Sequence, residues 1–403
     1  MARPQFEVAE IVRSLGASLR EGLARDQHRA VSAITACRTA VLGGHTSRCA
    51  DCAHIDVAYN SCRNRHCPKC QAAAAYDWLE ARKADLLPVA YYHVVFTLPA
   101  PIADIAFTNK AAVYDALFKA TSETLLTIGG DPRHLGARLG ATLVLHTWGS
   151  AMTHHPHIHG IVPGGGFSPD GSAWIDCAER YFLPVRVLSG LFRRLMCERL
   201  AALHAGGQLQ FFGRNAHLAE PAAFAQLLRR HRWRKWVVYA KEPFAGPEQV
   251  LSYLARYTHR IAISNRRITA FDGHRVTFNV KDYRKTGPAR YGSMTLPAAE
   301  FVRRFLMHVL PDGFHRIRHV GFLANTKRVK EIARARVLLA DRMPPPALLP
   351  AEPPAETPVA EAATQPTPCP CCGGRMILFE VIERASWLRP RRSTTPTVGI
   401  DSS

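Results

Sequence analysis

The chain has 403 residues, of which 47% are hydrophobic, so it can bury the cores of two or three domains. Lysine and arginine number 52 against 32 aspartates and glutamates, and the formal charge of +20 favours a polyanionic partner, nucleic acid first, over a generic basic surface. No apolar run of about 18 residues is present, which argues against a membrane-spanning helix, and the N-terminus lacks a signal-peptide core, so we expect a cytoplasmic protein.

The predicted elements mix helices and strands along the chain. In order, they are a helical pattern over 7–34, a segment rich in Cys, His and Arg at 37–70, a helix at 71–87, a buried strand from Tyr91 to Pro99, a helix at 102–128, strands at 140–148 and 156–163, a helix at 186–203, a strand within 235–244, a helix at 246–260, a hairpin at 267–280 and a helix at 296–311. This mixture indicates an α+β fold.

Composition divides the chain into four segments. Residues 1–90 hold the first helical pattern and the cysteine-rich stretch, and residues 91–340 hold the mixed helices and strands. Residues 341–368 are rich in proline and are predicted to be a linker with little capacity to form a core. Residues 369–403 form a short tail that contains further cysteines.

The cysteine spacing predicts a structural zinc ion. Cys49 and Cys52 form one Cys-x-x-Cys pair, and Cys67 and Cys70 form a second pair, with 14 residues between the two pairs. Four thiolates at such spacing suit tetrahedral Zn²⁺, which replaces part of a core that a short segment cannot build. The alternative is a set of buried free cysteines.

Other cysteines and histidines near these pairs leave the number of zinc ions open. Either a second zinc ion or local packing accounts for a further set, which comprises Cys37, His45, His54, Cys62 and His66. Cys369 and Cys372 make one more Cys-x-x-Cys near the C-terminus. One such pair is half a site, so it recruits ligands elsewhere in the chain, pairs between chains or binds nothing.

The sequence "HHPHIHGIVPGGG" predicts a second kind of metal site. Alternation along a strand places His157 and His159 on one face, about 7 Å apart along the strand. If strands 140–148 and 156–163 form a hairpin, His146 lies opposite His157 and is the predicted third ligand, with His154 and His155 as competitors. Neutral imidazoles suit Mn²⁺ or Zn²⁺, and Mg²⁺ is tolerated when phosphate oxygens complete the shell.

Two tyrosines four residues apart are the candidate nucleophiles. Tyr253 and Tyr257 share one face of the predicted helix at 246–260, although such a pair is more often core packing. Arg256, His259 and Arg260 are adjacent in sequence, and cations there would lower the pKa of a phenol and hold a phosphate beside it. Attack by a tyrosine on a phosphodiester would give a covalent phosphotyrosine.

A basic stretch with tryptophans, "RRHRWRKW", is a candidate DNA contact. Its predicted DNA-binding residues are Arg232, Trp233, Arg234 and Lys235. Arginine neutralises phosphate and indole stacks on unpaired bases. The alternative is a solvated helix end with its tryptophan in the core.

These motifs together resemble a known family. "HPHIHG" resembles the His-hydrophobic-His motif of HUH endonucleases, and "YLARYTHRIAISN" resembles the two-tyrosine helix of the IS91-family rolling-circle transposases. "CRTAVLGGH" with "SCRNRHCPKCQ" resembles the N-terminal zinc-binding domain of that family, and the likeness extends over residues 7–335.

The resemblance implies a fold and an activity. It implies an HUH-endonuclease-like antiparallel sheet with flanking helices, preceded by a small zinc-ribbon-like domain. It also implies a nucleoid-associated enzyme that cleaves and rejoins single-stranded DNA at element ends through 5′-phosphotyrosine intermediates, with Mg²⁺ or Mn²⁺. His157 and His159 match the metal motif, and Tyr253 and Tyr257 match the nucleophiles.

Two other functions are compatible with the sequence. A rolling-circle replication initiator or a relaxase would use the same chemistry on a different DNA sequence. A zinc-binding DNA-binding regulator without catalysis would show no metal-dependent nicking. The sequence does not indicate an oligomeric state.

Overall fold

A computed structural model describes residues 4–16, 18–178, 181–241, 262–282, 285–340 and 368–385. The helices in this part of the chain are α1 (Val8–Ser14), α2 (Arg25–Ala36), α3 (Gln71–Lys83), α4 (Ala100–Thr108), α5 (Lys110–Gly130), α6 (Val185–Ala205), α7 (Pro221–Arg232), α8 (Ala298–Met307) and α9 (Arg328–Leu338). The strands are β1 (Gly44–Cys49), β2 (Ile55–Tyr59), β3 (Tyr91–Thr97), β4 (Gly140–Trp148), β5 (His154–Pro163), β6 (Gly165–Phe167), β7 (Trp174–Asp176), β8 (Val238–Lys241), β9 (Ile268–Phe271), β10 (Arg275–Lys281), β11 (Tyr291–Pro297), β12 (Ile317–Gly321) and β13 (Met376–Ile382). These elements confirm the α+β class.

A five-stranded antiparallel sheet forms the centre of the fold. Its strand order is β12-β4-β5-β3-β8, so β5 is the middle strand. Successive side chains of a strand alternate between the two faces of the sheet, and the larger core lies on one of them. Ile158 and Val162 of β5 are fully buried with Phe96 and Phe192 in the core beneath α4 to α7. His157, His159 and Ile161, which alternate with these positions along β5, face the opposite side.

A second core joins the N-terminal helices to residues between 262 and 309. Val8 and Ile11 of α1 and Ile34 of α2 pack in one buried cluster with Phe278 of β10 and Phe301 of α8. β10 belongs to a three-stranded antiparallel sheet of order β11-β10-β9. The N-terminal helices therefore share their core with residues beyond the predicted boundary at residue 90.

Two of the predicted long helices are divided in the structure. The pattern over 7–34 forms α1 and α2, because Gly16 and Gly22 between them take left-handed φ values of 63° and 72°. The pattern over 102–128 forms α4 and α5, which meet at Asn109. The Asn109 side-chain amide donates to the carbonyls of Ile105 at 3.0 Å and Gln210 at 2.8 Å, which holds the bend.

A smaller sheet of order β13-β1-β2 brings residues 376–382 beside the N-terminal region. Among the residues that the structure describes, no helix is long and apolar enough to cross a membrane. The predicted linker at 341–368 lies outside the described residues except for its last position.

Candidate active site

The β4-β5 hairpin brings three histidines together. His146 lies directly opposite His157, as the hairpin register predicted, and Val144 lies opposite His159. One ring nitrogen from each of His146, His157 and His159 lies within 4.8 Å of the others. We call this set the histidine trio. Its rings have centroids 4.2 Å apart for His146 and His159 and 4.8 Å apart for His157 and His159.

Neighbouring groups fix the orientation of two of these rings. Nδ1 of His157 lies 2.6 Å from the carbonyl oxygen of His155, so this nitrogen donates and Nε2 keeps its lone pair. Nδ1 of His159 lies 2.7 Å from Nε2 of His93, and the two rings stack at 4.9 Å with an angle of 7°. The outer nitrogen of a metal-binding histidine is normally held in this way.

The environment keeps these imidazoles neutral. Burial lowers the pKa of His157 to about 3 and holds the pKa of His159 well below its usual value, with positive charge on neighbouring histidines acting in the same direction. Neutral imidazole is the form that binds a metal ion. The donor set of the histidine trio therefore fits a divalent ion such as Mn²⁺, or Mg²⁺ with phosphate oxygens.

The competing ligands have other roles. Nε2 of His154 lies 2.8 Å from the buried hydroxyl of Tyr114, so this histidine fastens the start of β5 to α5. His155 contributes its backbone carbonyl to His157. His93 was missed by the sequence analysis, although its place in the strand from Tyr91 to Pro99 could have indicated it, since β3 lies beside β5.

The candidate tyrosines follow the edge strand β8 in the sequence, in a segment (residues 242–261) that we call the tyrosine segment. Tyr253, Tyr257, Arg256, His259 and Arg260 lie outside the described residues. The chain leaves the sheet at Lys241, which pairs with His93, and the described chain resumes at Ala262. Arg267 then donates to the carbonyl of Ser150 in the β4-β5 loop, close to the histidine trio along the hairpin.

Comparisons with known proteins identify the family. Residues 140–330 match a family described as "Putative transposase", and residues 10–98 match one described as "Transposase zinc-binding domain". The chain is 52% identical over 388 residues to "Putative transposase y4qJ" of Sinorhizobium fredii (strain NBRC 101917 / NGR234), with 95% of this chain and 97% of the relative covered. It is 28% identical over 377 residues to "Transposase for insertion sequence element IS801" of Pseudomonas savastanoi pv. phaseolicola, with 90% and 86% covered. The chain belongs to the IS91 family of transposases.

No solved structure matches this transposase. The matched regions agree with the sequence analysis in order, with the zinc-binding domain first and the region of the histidine trio second. Both the transposase class and the zinc-binding domain predicted from sequence are confirmed.

The basic stretch of the transposase divides into an exposed part and a buried part. Trp233 at the end of α7 is 86% exposed, and the neighbouring Arg232, Arg234 and Lys235 are exposed as well. Trp236 is 1% exposed and donates its indole N–H to the carbonyl of His231 at 3.0 Å. The buried Trp236 agrees with the alternative of a tryptophan in the core, and a DNA contact through the exposed residues stays a prediction.

The cysteines of the zinc-binding domain are grouped differently from the prediction. Cys67 and Cys70 lie with Cys37 and Cys62, not with the pair at 49 and 52. We call this set, Cys37, Cys62, Cys67 and Cys70, the N-terminal cysteine quartet. Sγ of Cys70 is 3.6 Å from Sγ of Cys37 and 3.6 Å from Sγ of Cys62, which suits four thiolates around one zinc ion.

Chain direction explains the wrong grouping. Cys49 ends β1, and Cys52 follows it in the turn before β2. β2 then runs back antiparallel along β1, with Tyr59 opposite Gly44, and carries the chain away from Cys52. Spacing along the sequence gives the distance between the pairs but not this reversal. Cys49 and Cys52 lie instead with Cys369 and Cys372, and we call this set the composite cysteine quartet.

Proposed function

We propose that this transposase cleaves and rejoins single-stranded DNA at the ends of its element through 5′-phosphotyrosine intermediates on Tyr253 and Tyr257. The observation that carries the proposal is the convergence of the histidine trio on one face of the central sheet. A Mg²⁺ or Mn²⁺ ion bound there would polarise the scissile phosphate and stabilise charge on the leaving oxygen.

The reaction conserves the energy of the phosphodiester bond, because the bond to the 3′ oxygen is exchanged for a bond to tyrosine. A deprotonated tyrosine oxygen attacks phosphorus, the bond between phosphorus and the 3′ oxygen breaks, and that oxygen takes up a proton to become a 3′-hydroxyl. The 5′ phosphate remains on the tyrosine, and a different 3′-hydroxyl reverses the step to join strands. Two tyrosines allow two successive transfers.

Connectivity supports a nucleophile near the histidine trio. The tyrosine segment follows β8, which is the neighbour of β3, and β3 is the neighbour of β5. Adjacent strands are about 4.8 Å apart, so β8, which precedes the tyrosines in the sequence, lies about 10 Å from the strand that carries His157 and His159. Arg256, His259 and Arg260 are adjacent to the tyrosines in sequence and would hold the phosphate and favour the phenolate.

The exposed basic stretch is the proposed DNA contact. Arg232, Arg234 and Lys235 would neutralise phosphates, and Trp233 would stack on an unpaired base. The stretch leads within a few residues into β8, so DNA held there would lie close to the start of the tyrosine segment.

The test uses the full chain with single-stranded oligonucleotides of the element ends and Mn²⁺ or Mg²⁺. An oligonucleotide labelled at its 3′ end should yield labelled protein that survives denaturing electrophoresis. One labelled at its 5′ end should yield a free fragment that ends in a 3′-hydroxyl. The double change Tyr253→Phe and Tyr257→Phe should abolish the adduct.

A matched control is Tyr291→Phe, because Tyr291 is 67% exposed on β11 and carries no proposed role. This variant should form the adduct at the normal rate. Persistence of the adduct in the double variant would overturn the choice of nucleophiles. Failure of the wild-type chain to form any adduct would favour the regulator without catalysis.

A further inference from the structure

We propose a second structural zinc site, formed by the composite cysteine quartet of Cys49, Cys52, Cys369 and Cys372. The regions that match the two transposase families are residues 10–98 and 140–330, so half of this site lies outside both. The site would fasten residues 368–385 to the zinc-binding domain. It is a feature of the fold and does not depend on the nicking chemistry.

The sulfur positions suit one tetrahedral ion. Sγ of Cys49 lies 3.5 Å from Sγ of Cys372, and Sγ of Cys52 lies 3.7 Å from Sγ of Cys369. Zinc–sulfur bonds of about 2.3 Å at tetrahedral angles place the sulfurs about 3.8 Å apart. A disulfide would need about 2.05 Å. All four sulfurs lie within 4.8 Å of one another.

The two halves of the site have the same backbone geometry. The N–H of Ala53 donates to the carbonyl of Cys49 at 3.2 Å, and the N–H of Gly373 donates to the carbonyl of Cys369 at 2.8 Å. Each donor directly follows the second cysteine of its pair and takes a left-handed φ, 58° for Ala53 and 77° for Gly373. A non-glycine residue rarely adopts this conformation, so Ala53 marks a turn that its surroundings enforce.

Backbone amides point at the sulfurs in both halves. The N–H of Asp51 lies 3.4 Å from Sγ of Cys49, and the N–H of Cys371 lies 3.4 Å from Sγ of Cys369. Hydrogen bonds from amides favour the thiolate over the thiol. Thiolate is the form that binds zinc. The equivalent position in each pair therefore carries the same support for a metal ligand.

The C-terminal pair is fitted closely to the N-terminal one. A Cβ atom on Gly374 would displace the carboxylate of Asp51 and lie 3.1 Å from Sγ of Cys49, so glycine at this position allows the close approach. Beyond it, β13 pairs with β1, and Met376 lies opposite Cys49. The sequence "CPCCGG" thus supplies two ligands, the left-handed turn and the close contact.

Packing alone does not explain why this small sheet forms. Its outer strands expose their apolar side chains, including Ile55 at 55%, Leu378 at 61% and Phe379 at 62%. None of the buried clusters among the described residues includes a side chain of β2 or β13. A metal ion commonly supplies the free energy that so small a sheet lacks.

The first test measures zinc in the purified full chain. The double change Cys369→Ser and Cys372→Ser should lower the zinc content by one equivalent relative to wild type. Cys371→Ser is the matched control, because Cys371 is exposed, lies between the two ligands and is not part of the quartet. This control should keep the full zinc content. Equal zinc in the double variant and the wild type would overturn the site.

The second test keeps all four cysteines of the site. A protease site inserted within residues 341–367 is cut in the purified protein, and the C-terminal fragment should then co-elute with the rest of the chain. A zinc chelator should release it. Retention of the fragment after chelation has removed all zinc would overturn the proposal, as would a Cys49–Cys372 disulfide found by peptide mapping of protein purified under reducing conditions.

Discussion

The histidine trio and the cysteine quartets are both suited to metal ions, but they differ in what supports them. The trio lies on the middle strands of a sheet whose opposite face is packed, with Ile158 between the two histidines fully buried. The composite quartet lies on short strands and turns with little apolar packing of their own, whereas the N-terminal quartet lies against the second core, where Cys37 and Cys67 are fully buried. A metal ion bound at the trio would therefore be available for chemistry, whereas metal ions bound at the quartets would be part of the fold.

The largest expected effect is the loss of a quartet ion. Cys67 is fully buried in the N-terminal cysteine quartet, so Cys67→Ser should remove its zinc and unfold residues 60–70, since a structural zinc ion contributes about 10 kcal/mol or more in small zinc domains. Hydrogen exchange should show lost protection in this segment and retained protection in β4 and β5. Cys177→Ser, which lies outside both quartets, is the control, and this variant should keep the zinc content of the wild type.

The second prediction concerns the histidine trio, where a substitution should lower activity far more than stability. His157→Gln should lower the rate of nicking by more than about 100-fold, which is about 2.7 kcal/mol on the barrier. Loss of its hydrogen bond to the His155 carbonyl should cost only about 1 kcal/mol of unfolding free energy. Nicking assays and chemical denaturation measure the two quantities. A variant of the exposed His134 should change neither, and a comparable fall in its activity would count against the trio.

The histidine trio and the composite cysteine quartet also differ in how far the sequence could predict them. The position of His146 opposite His157 follows from local rules, because strand alternation and a short loop fix the register of a hairpin. The partners of Cys49 and Cys52 could not be found in this way. They lie 323 and 317 residues away along the chain, and spacing rules apply only to neighbours in sequence.

The remaining differences have similar physical causes. His93 reaches the histidine trio through the order of strands in the sheet, which the pattern of one strand does not reveal. The helical pattern is divided at Asn109, whose side-chain amide donates to the carbonyls of Ile105 and Gln210, and hydrophobic periodicity does not register such bonds. The roles of Tyr253 and Tyr257 stay predictions, since both lie outside the described residues.

A third prediction separates a contact for DNA from a contact for the core. Trp233→Ala should weaken binding of single-stranded DNA by about 1–3 kcal/mol and leave the unfolding free energy within about 0.5 kcal/mol of wild type. Trp236→Ala should instead destabilise the chain by about 3–5 kcal/mol, because this indole is buried in the central core. Fluorescence anisotropy and denaturation distinguish the two. Equal losses of stability would contradict the division.

The smallest effect is expected at a surface ion pair that involves neither metal nor core. Hydrogen bonds from Arg303 and Arg304 lower the pKa of Glu300 to about 2. Because the folded pKa lies below the unfolded value, the stabilisation is complete above about pH 4.5 and is lost as the pH falls towards 2. Glu300→Gln should therefore cost less than about 1 kcal/mol at pH 7, with solvent screening, and the difference from wild type should shrink below pH 4.5.

The pairing of β13 with β1 imposes an order on biosynthesis. Cys49 leaves the ribosome 323 residues before Cys372, a delay of roughly 15–65 s at 5–20 residues per second. Throughout that interval one edge of β1 has no partner strand and half of a ligand set is present, and by the end of it the central sheet has every strand that it needs. The nascent chain thus completes the sheet that carries the histidine trio before β13 can pair with β1 near the N-terminus.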